Sequence, residues 1–178
     1  MGIRRPSNRH AKAKRHGGHD HAGEKGNKVT SQFTNDLSQL KAELSSARNE
    51  LMKVIASTSN EQLDIARRGG WSVRRVLEHV ITSEESYARV IAHLNGRPIA
   101  EPTPDGVHSS VDDAAAKLSS SRATLLRALD GVNEDAFYAL RQLANEEYSI
   151  VSVLENVISH EHEHSTQLVT TLQQAQPR

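Results

Sequence analysis

Apolar residues recur at the helical period along four stretches of this chain, and no stretch shows a convincing strand alternation. Phe33, Leu37, Leu40, Leu44, Ala47, Leu51, Val54 and Ile55 form one narrow stripe, which predicts a first helix over about Ser31–Ser57. Arg67-Arg68-Gly69-Gly70 then breaks the chain, and Ser59 with Gln62 matches a capping box for a short turn in between. A second helix starts behind Trp71. Ser72 is its expected N-cap, and Val73, Val76, Leu77, Val80, Tyr87, Ile91 and Leu94 face inward. It ends at Asn95-Gly96, with Pro98 just beyond. The stretch Arg97–Ser110, with three prolines and a glycine, reads as a loop long enough to lie over something.

A third helix is expected over about Val111–Leu129, with Val111, Ala114, Ala115, Leu118, Leu125, Leu126 and Leu129 inward. Residues 132–148 read as irregular, with a short helix at Glu134–Leu140. A fourth helix is expected over about Ser149–Gln173, with Ile150, Val153, Leu154, Val157, Leu168 and Leu172 inward. Aromatic and β-branched runs are too few for a sheet. Four amphipathic helices predict an all-α fold, a four-helix bundle.

Composition separates a tail from this body. Residues 1–28 carry eight Lys/Arg against two Asp/Glu, and the rest carries fourteen against twenty, although the net formal charge is zero. The tail has almost no large apolar residue, so it reads as a disordered basic His/Gly-rich segment ahead of one domain at 29–178. Its His16-Gly17-Gly18-His19-Asp20-His21 stretch has weak chelating chemistry; a solvated tail is the simpler reading. No aromatic interleaves the basic residues, which argues against a nucleic-acid partner. The chain has no cysteine, so any thiol chemistry must come from a cosubstrate. No apolar run reaches the ~20 residues that span a bilayer, and no secretory h-region is present, so the cytoplasm is the expected compartment.

The candidate chemistry lies in three histidines. His160 and His164 sit one helical turn apart in Ser159-His160-Glu161-His162-Glu163-His164, so their imidazoles share a face. On the helical wheel His164 falls inside the apolar stripe and His160 at its edge, while His162 points away. His79 lies at the edge of the second helix's stripe. A lone inward histidine is usually a hydrogen-bonded core residue, but three from two helices point to a metal site. Glu84, Arg122 and Glu161 also face inward, and burying an unpaired charge is costly. They form either an internal ion pair or a polar pocket beside the metal. In the second case Glu84 or Glu161 orients ligands or acts as a base, and Arg122 holds an anionic group of the substrate. Trp71, the chain's single tryptophan, is expected to be largely buried and to anchor the entry of the second helix.

Competing motifs fit poorly. His160-Glu161-x-x-His164 matches the H-E-x-x-H of zinc peptidases, but the short remainder of the chain offers no third ligand. Glu161-x-x-His164 matches half of a di-iron carboxylate site, and no second Glu-x-x-His stands in the second or third helix. A hemerythrin-type centre needs more inward histidines.

The run Gly69-Gly70-Trp71-Ser72-Val73-Arg74-Arg75-Val76-Leu77-Glu78-His79, then Ser83-Glu84, and His160-Glu161-x-x-His164-x-x-Gln167 resemble the DinB/YfiT-like superfamily of metal-binding four-helix bundles. The resemblance spans about residues 31–173 in helix order and spacing. It implies an up-down-down-up bundle with a metal held by His79, His160 and His164, and homodimers are common among such proteins. Zinc is the default ion, and nickel, iron or manganese also accept such donors. The superfamily includes mycothiol-dependent isomerases and bacillithiol S-transferases, and other members are described only as metal-dependent hydrolases. The resemblance therefore implies a small-molecule substrate, with either water or a low-molecular-weight thiol as nucleophile. The alternative is a non-catalytic metal-binding or interaction bundle, with Glu84 and Glu161 locked in ion pairs.

Overall fold

The computed structural model describes residues 22–99 and 109–174. Four long helices build it: α1 (Ala22–Ala56), α2 (Val73–Leu94), α3 (Val111–Ala128) and α5 (Ile150–Gln174). A short helix α4 (Glu134–Tyr138) and a hairpin of β1 (Arg141–Leu143) and β2 (Glu146–Tyr148) lie between α3 and α5. α1 begins earlier than the apolar stripe alone suggested, and the preceding part of the tail lies outside the described residues, as does most of the loop after α2.

Sequence chemistry sets the helix ends. Ser72 accepts a hydrogen bond from the Arg75 backbone N–H, Ser110 from that of Asp113 and Asn133 from that of Ala136. Asn95 ends α2, and Gly96 follows at φ 64°, a conformation glycine adopts without a Cβ penalty. The capping box at Ser59 and Gln62 is present, on a 3-10 turn at Asn60–Gln62.

Hydrogen bonds between helix ends fix the topology. Asn60 Oδ1, near the end of α1, accepts from the Val111 N–H at the start of α3, and Leu63 O accepts from the Arg74 N–H at the start of α2. At the opposite end the Asn95 side chain donates to the carbonyls of Ala128 and Asp130. α2 and α3 therefore run in the same direction, antiparallel to α1. α5 returns alongside α1, so the bundle is up-down-down-up, with α1 on α5, α5 on α2 and α2 on α3.

The core has two apolar halves. One gathers Leu40, Leu44, Ile91, Leu125, Phe137 and Leu154, and the other Leu51, Leu63, Val76, Leu77, Leu118 and Leu168. Between them lies a layer of buried charge: Arg48, Glu84, Arg122 and Glu161, one from each long helix. Two expectations need correction. Leu126, assigned to the inward stripe of α3, is exposed. The region before α5 contains a two-stranded sheet, with Leu143 paired to Glu146 across a turn in which Ala144 takes φ 55°. A polar three-residue strand carries no alternation to read, and an alanine in the left-handed region gives no glycine signal.

Candidate metal centre

α2 and α5 pack side by side, and their facing edges carry the three histidines. Ser72 fixes where α2 begins, so His79 comes round to α5 two turns later. His160 and His164 meet it from consecutive turns of α5. His160 Nε2 lies 3.0 Å from His79 Nε2 and 3.1 Å from His164 Nε2. One donor nitrogen from each ring lies within 4.8 Å of the other two. Imidazoles about 2.1 Å from a tetrahedral ion place their nitrogens about 3.4 Å apart, so the spacing suits one small divalent ion. His162 is elsewhere, at the surface with its Nδ1 3.0 Å from Glu50, and His93 is exposed.

The surroundings favour neutral rings with available lone pairs. His164 Nδ1 lies 2.7 Å from Gln167 Oε1. An N–H donated there leaves Nε2 with its lone pair toward the site. Burial pushes His160 down to about 4, and the neighbouring His164 and His79 add to the effect. Burial also lowers His79, followed by His164 and Arg75, with Glu163 opposing. Ser83 Oγ stands 3.5 Å from His79 Nδ1, at the limit of a hydrogen bond.

Trp71 is not a core anchor. It is 42% exposed. Its ring meets His79 edge-on at 4.9 Å and lies near-parallel to His164 at 6.5 Å. The chain turns between Ala66 and Ser72, with Gly69 at φ 71°, and that turn carries the indole outward over the histidines. Apolar burial alone did not set its place.

Below the histidines the four buried charges close into a ring. Arg48 pairs with Glu84 at 2.7 Å and with Glu161, and Arg122 pairs with both Glu84 and Glu161 at 2.5 Å. Ser121 donates to Glu84 as well. The remaining donors reach backbone: Arg48 Nη1 to Leu118 O and Arg122 Nη1 to Leu44 O. Arg122 thus holds both inward acids, and neither acid stands apart as a base. Arg48 was missed in the sequence, though the wheel places it between Leu44 and Leu51 on the stripe of α1. Charge balance was the second signal, since two inward acids around one arginine leave a negative charge unmatched. Beside the ring, reaching His160 but not His79 or His164, is a cleft of about 10 Å³, lined also by Tyr87, Glu84 and Glu161. That is room for roughly one water.

A family model for the DinB superfamily matches residues 43–168, a range that includes all three histidines. The chain belongs to the DinB superfamily. No curated protein matches it. Solved structures share the DinB-like fold at low identity. TT2238, described as a four-helix bundle protein, is 23% identical with a TM-score of 0.59, covering 75% of this chain and 98% of its own. A DinB-like protein from Bacillus subtilis is 16% identical with a TM-score of 0.61, covering 76% and 91%. One from Bacillus cereus is 20% identical with a TM-score of 0.61, covering 79% and 90%. These likenesses carry the fold. Among the described residues of this DinB-superfamily chain, no helix is long and apolar enough to cross a membrane.

Proposed function

We propose that His79, His160 and His164 hold a divalent metal ion, zinc in the first instance, and that the chain uses it to act on a small molecule. The observation that carries this reading is the convergence of three Nε2 atoms, with His160 Nε2 close to both of the others. Hydrogen bonding satisfies such a trio poorly. A neutral Nε2 has either one proton or one lone pair, and His160 Nε2 has two ring nitrogens to face. With His164 Nδ1–H directed at Gln167, a proton on His160 Nε2 serves His164 and is misdirected for His79. A metal ion accepts all three lone pairs at once.

When bound there, a divalent ion supplies a Lewis acid that lowers the pKa of a coordinated thiol or water. The protein's own contribution is orientation: Gln167 sets the His164 ring, and the charge ring fixes α5 against α1, α2 and α3. Glu84 and Glu161 sit inside that ring, which disfavours a role for either as base. A low-molecular-weight thiol, more acidic than water, has less need of one. We therefore place thiol-dependent transfer or isomerisation ahead of hydrolysis. In transfer the thiol proton goes to solvent, sulfur bonds to an electrophilic carbon, and the leaving group departs with its electron pair. A second reading, a non-catalytic metal-binding bundle, draws support from the locked carboxylates and the small cleft. Metal analysis of the purified chain tests the site. A screen of thiols against electrophilic acceptors then separates the readings: turnover that needs both metal and thiol supports transfer, turnover without thiol supports hydrolysis, and metal without turnover supports the bundle.

A further inference from the structure

The arginine that the sequence suggested for anion recognition, Arg122, is only 9% exposed, and three of its nitrogens already have acceptors. A different arginine stands at the rim of the histidine site. Arg75 lies one turn before His79 on α2, and its side chain is 65% exposed. Its guanidinium carbon sits 5.8 Å from the Trp71 ring centroid, and that ring is 4.9 Å from the ring of His79. Guanidinium, indole and imidazole therefore form a continuous wall beside the three nitrogens. The indole limits where the guanidinium can go, because a cation over an aromatic face is attracted to it. Its acidic neighbour Glu78 contacts it through Nη1 alone, at 3.5 Å, and the charge of Glu163 also reaches His79. A 3.5 Å one-point contact is far weaker than the two-point fork that a guanidinium makes with a carboxylate. An incoming carboxylate competes with it readily.

We propose that Arg75, braced on Trp71, recognises the carboxylate of a small anionic ligand bound at the histidine site. The inference rests on the metal reading above and narrows its substrate class to carboxylate-bearing molecules. The carboxylate belongs either to the thiol cosubstrate or to the acceptor, and simple probes separate these sources.

The experiment uses the full chain loaded with zinc, and calorimetric affinities for two matched pairs. Mercaptoacetate against 2-mercaptoethanol measures carboxylate preference on a thiol. Benzoate against benzamide measures it on a thiol-free molecule. In the wild type at least one pair favours the carboxylate, and in Arg75→Gln that preference falls by about tenfold while zinc content is unchanged. The pair that responds identifies the source. Preferences that are absent in the wild type, or the same in Arg75→Gln, overturn the proposal and leave the metal reading intact. A wild-type chain that takes up no zinc ends both together.

Discussion

Arg48 and Arg122 each donate to the carbonyl one helical turn before the other, Arg48 to Leu118 and Arg122 to Leu44. The exchange ties α1 to α3, which otherwise pack lightly. Glu84 and Glu161 complete the ring from α2 and α5, so every long helix is registered at the same level. His160 directly precedes Glu161, so the ring also sets the height of the histidine site.

Breaking this ring by one member should cost more than removing it. Arg122→Met leaves two buried carboxylates sharing one arginine, and is expected to destabilise the fold by about 3–5 kcal/mol in denaturant unfolding. Replacing Arg48, Glu84, Arg122 and Glu161 together by methionine should recover most of that loss. A cost below about 1 kcal/mol for the single change would show that the ring carries little of the fold's stability.

Trp71 gives a second expectation. A buried tryptophan cut to alanine loses about 3–5 kcal/mol, but Trp71 is 42% exposed and should lose about half that or less. As the chain's single tryptophan, 4.9 Å from His79, it should also report metal directly. Titration with cobalt or nickel should quench its fluorescence, and the quenching should vanish in His79→Ala. Unchanged fluorescence in metal-loaded protein would count against the site.

The helices and the three histidines were legible because both obey the helical period. Leu44, Leu51 and Ile55 mark the buried face of α1, and the one-turn spacing of His160 and His164 marks a shared edge. Arg48 stands on the same face, between Leu44 and Leu51, but a stripe traced through apolar residues alone leaves it out. Trp71 was misplaced for the converse reason: its apolar character suggested the core, and only the turn at Gly69 shows it directed over the histidines. The hairpin Arg141–Tyr148 depends on an alanine in a left-handed conformation, which no local propensity announces.

Gln167 is expected to act through His164. Gln167→Leu removes the acceptor 2.7 Å from Nδ1 and frees the ring to rotate and change tautomer. Zinc affinity, measured by competition with a chelator, should weaken about 10- to 100-fold while thermal stability without metal changes little. Equal affinities would mean that packing alone sets the ring.

The metal-free chain should lose stability in mild acid. Burial holds His160 down to about 4, whereas the unfolded chain takes up its proton near the ordinary 6.5. Across that window the unfolded state binds more protons than the folded one, so stability is complete above the unfolded value and falls as pH drops toward 4. His79 is shifted the same way and adds to the slope. Urea midpoints at a series of pH values should show this fall, and His160→Gln should flatten it. A midpoint that does not move between neutral pH and 4 would contradict the burial of His160.

The most direct measurement is elemental analysis of the full chain, purified without added chelator, beside His160→Ala and His162→Ala. His160 Nε2 stands between the other two ligand nitrogens, whereas His162 faces Glu50 at the surface. The wild type and His162→Ala should each retain about one divalent ion per chain, and His160→Ala should lose most of it. Equal metal in all three, or none in the wild type after incubation with zinc, would contradict the assignment of His79, His160 and His164 as a metal centre.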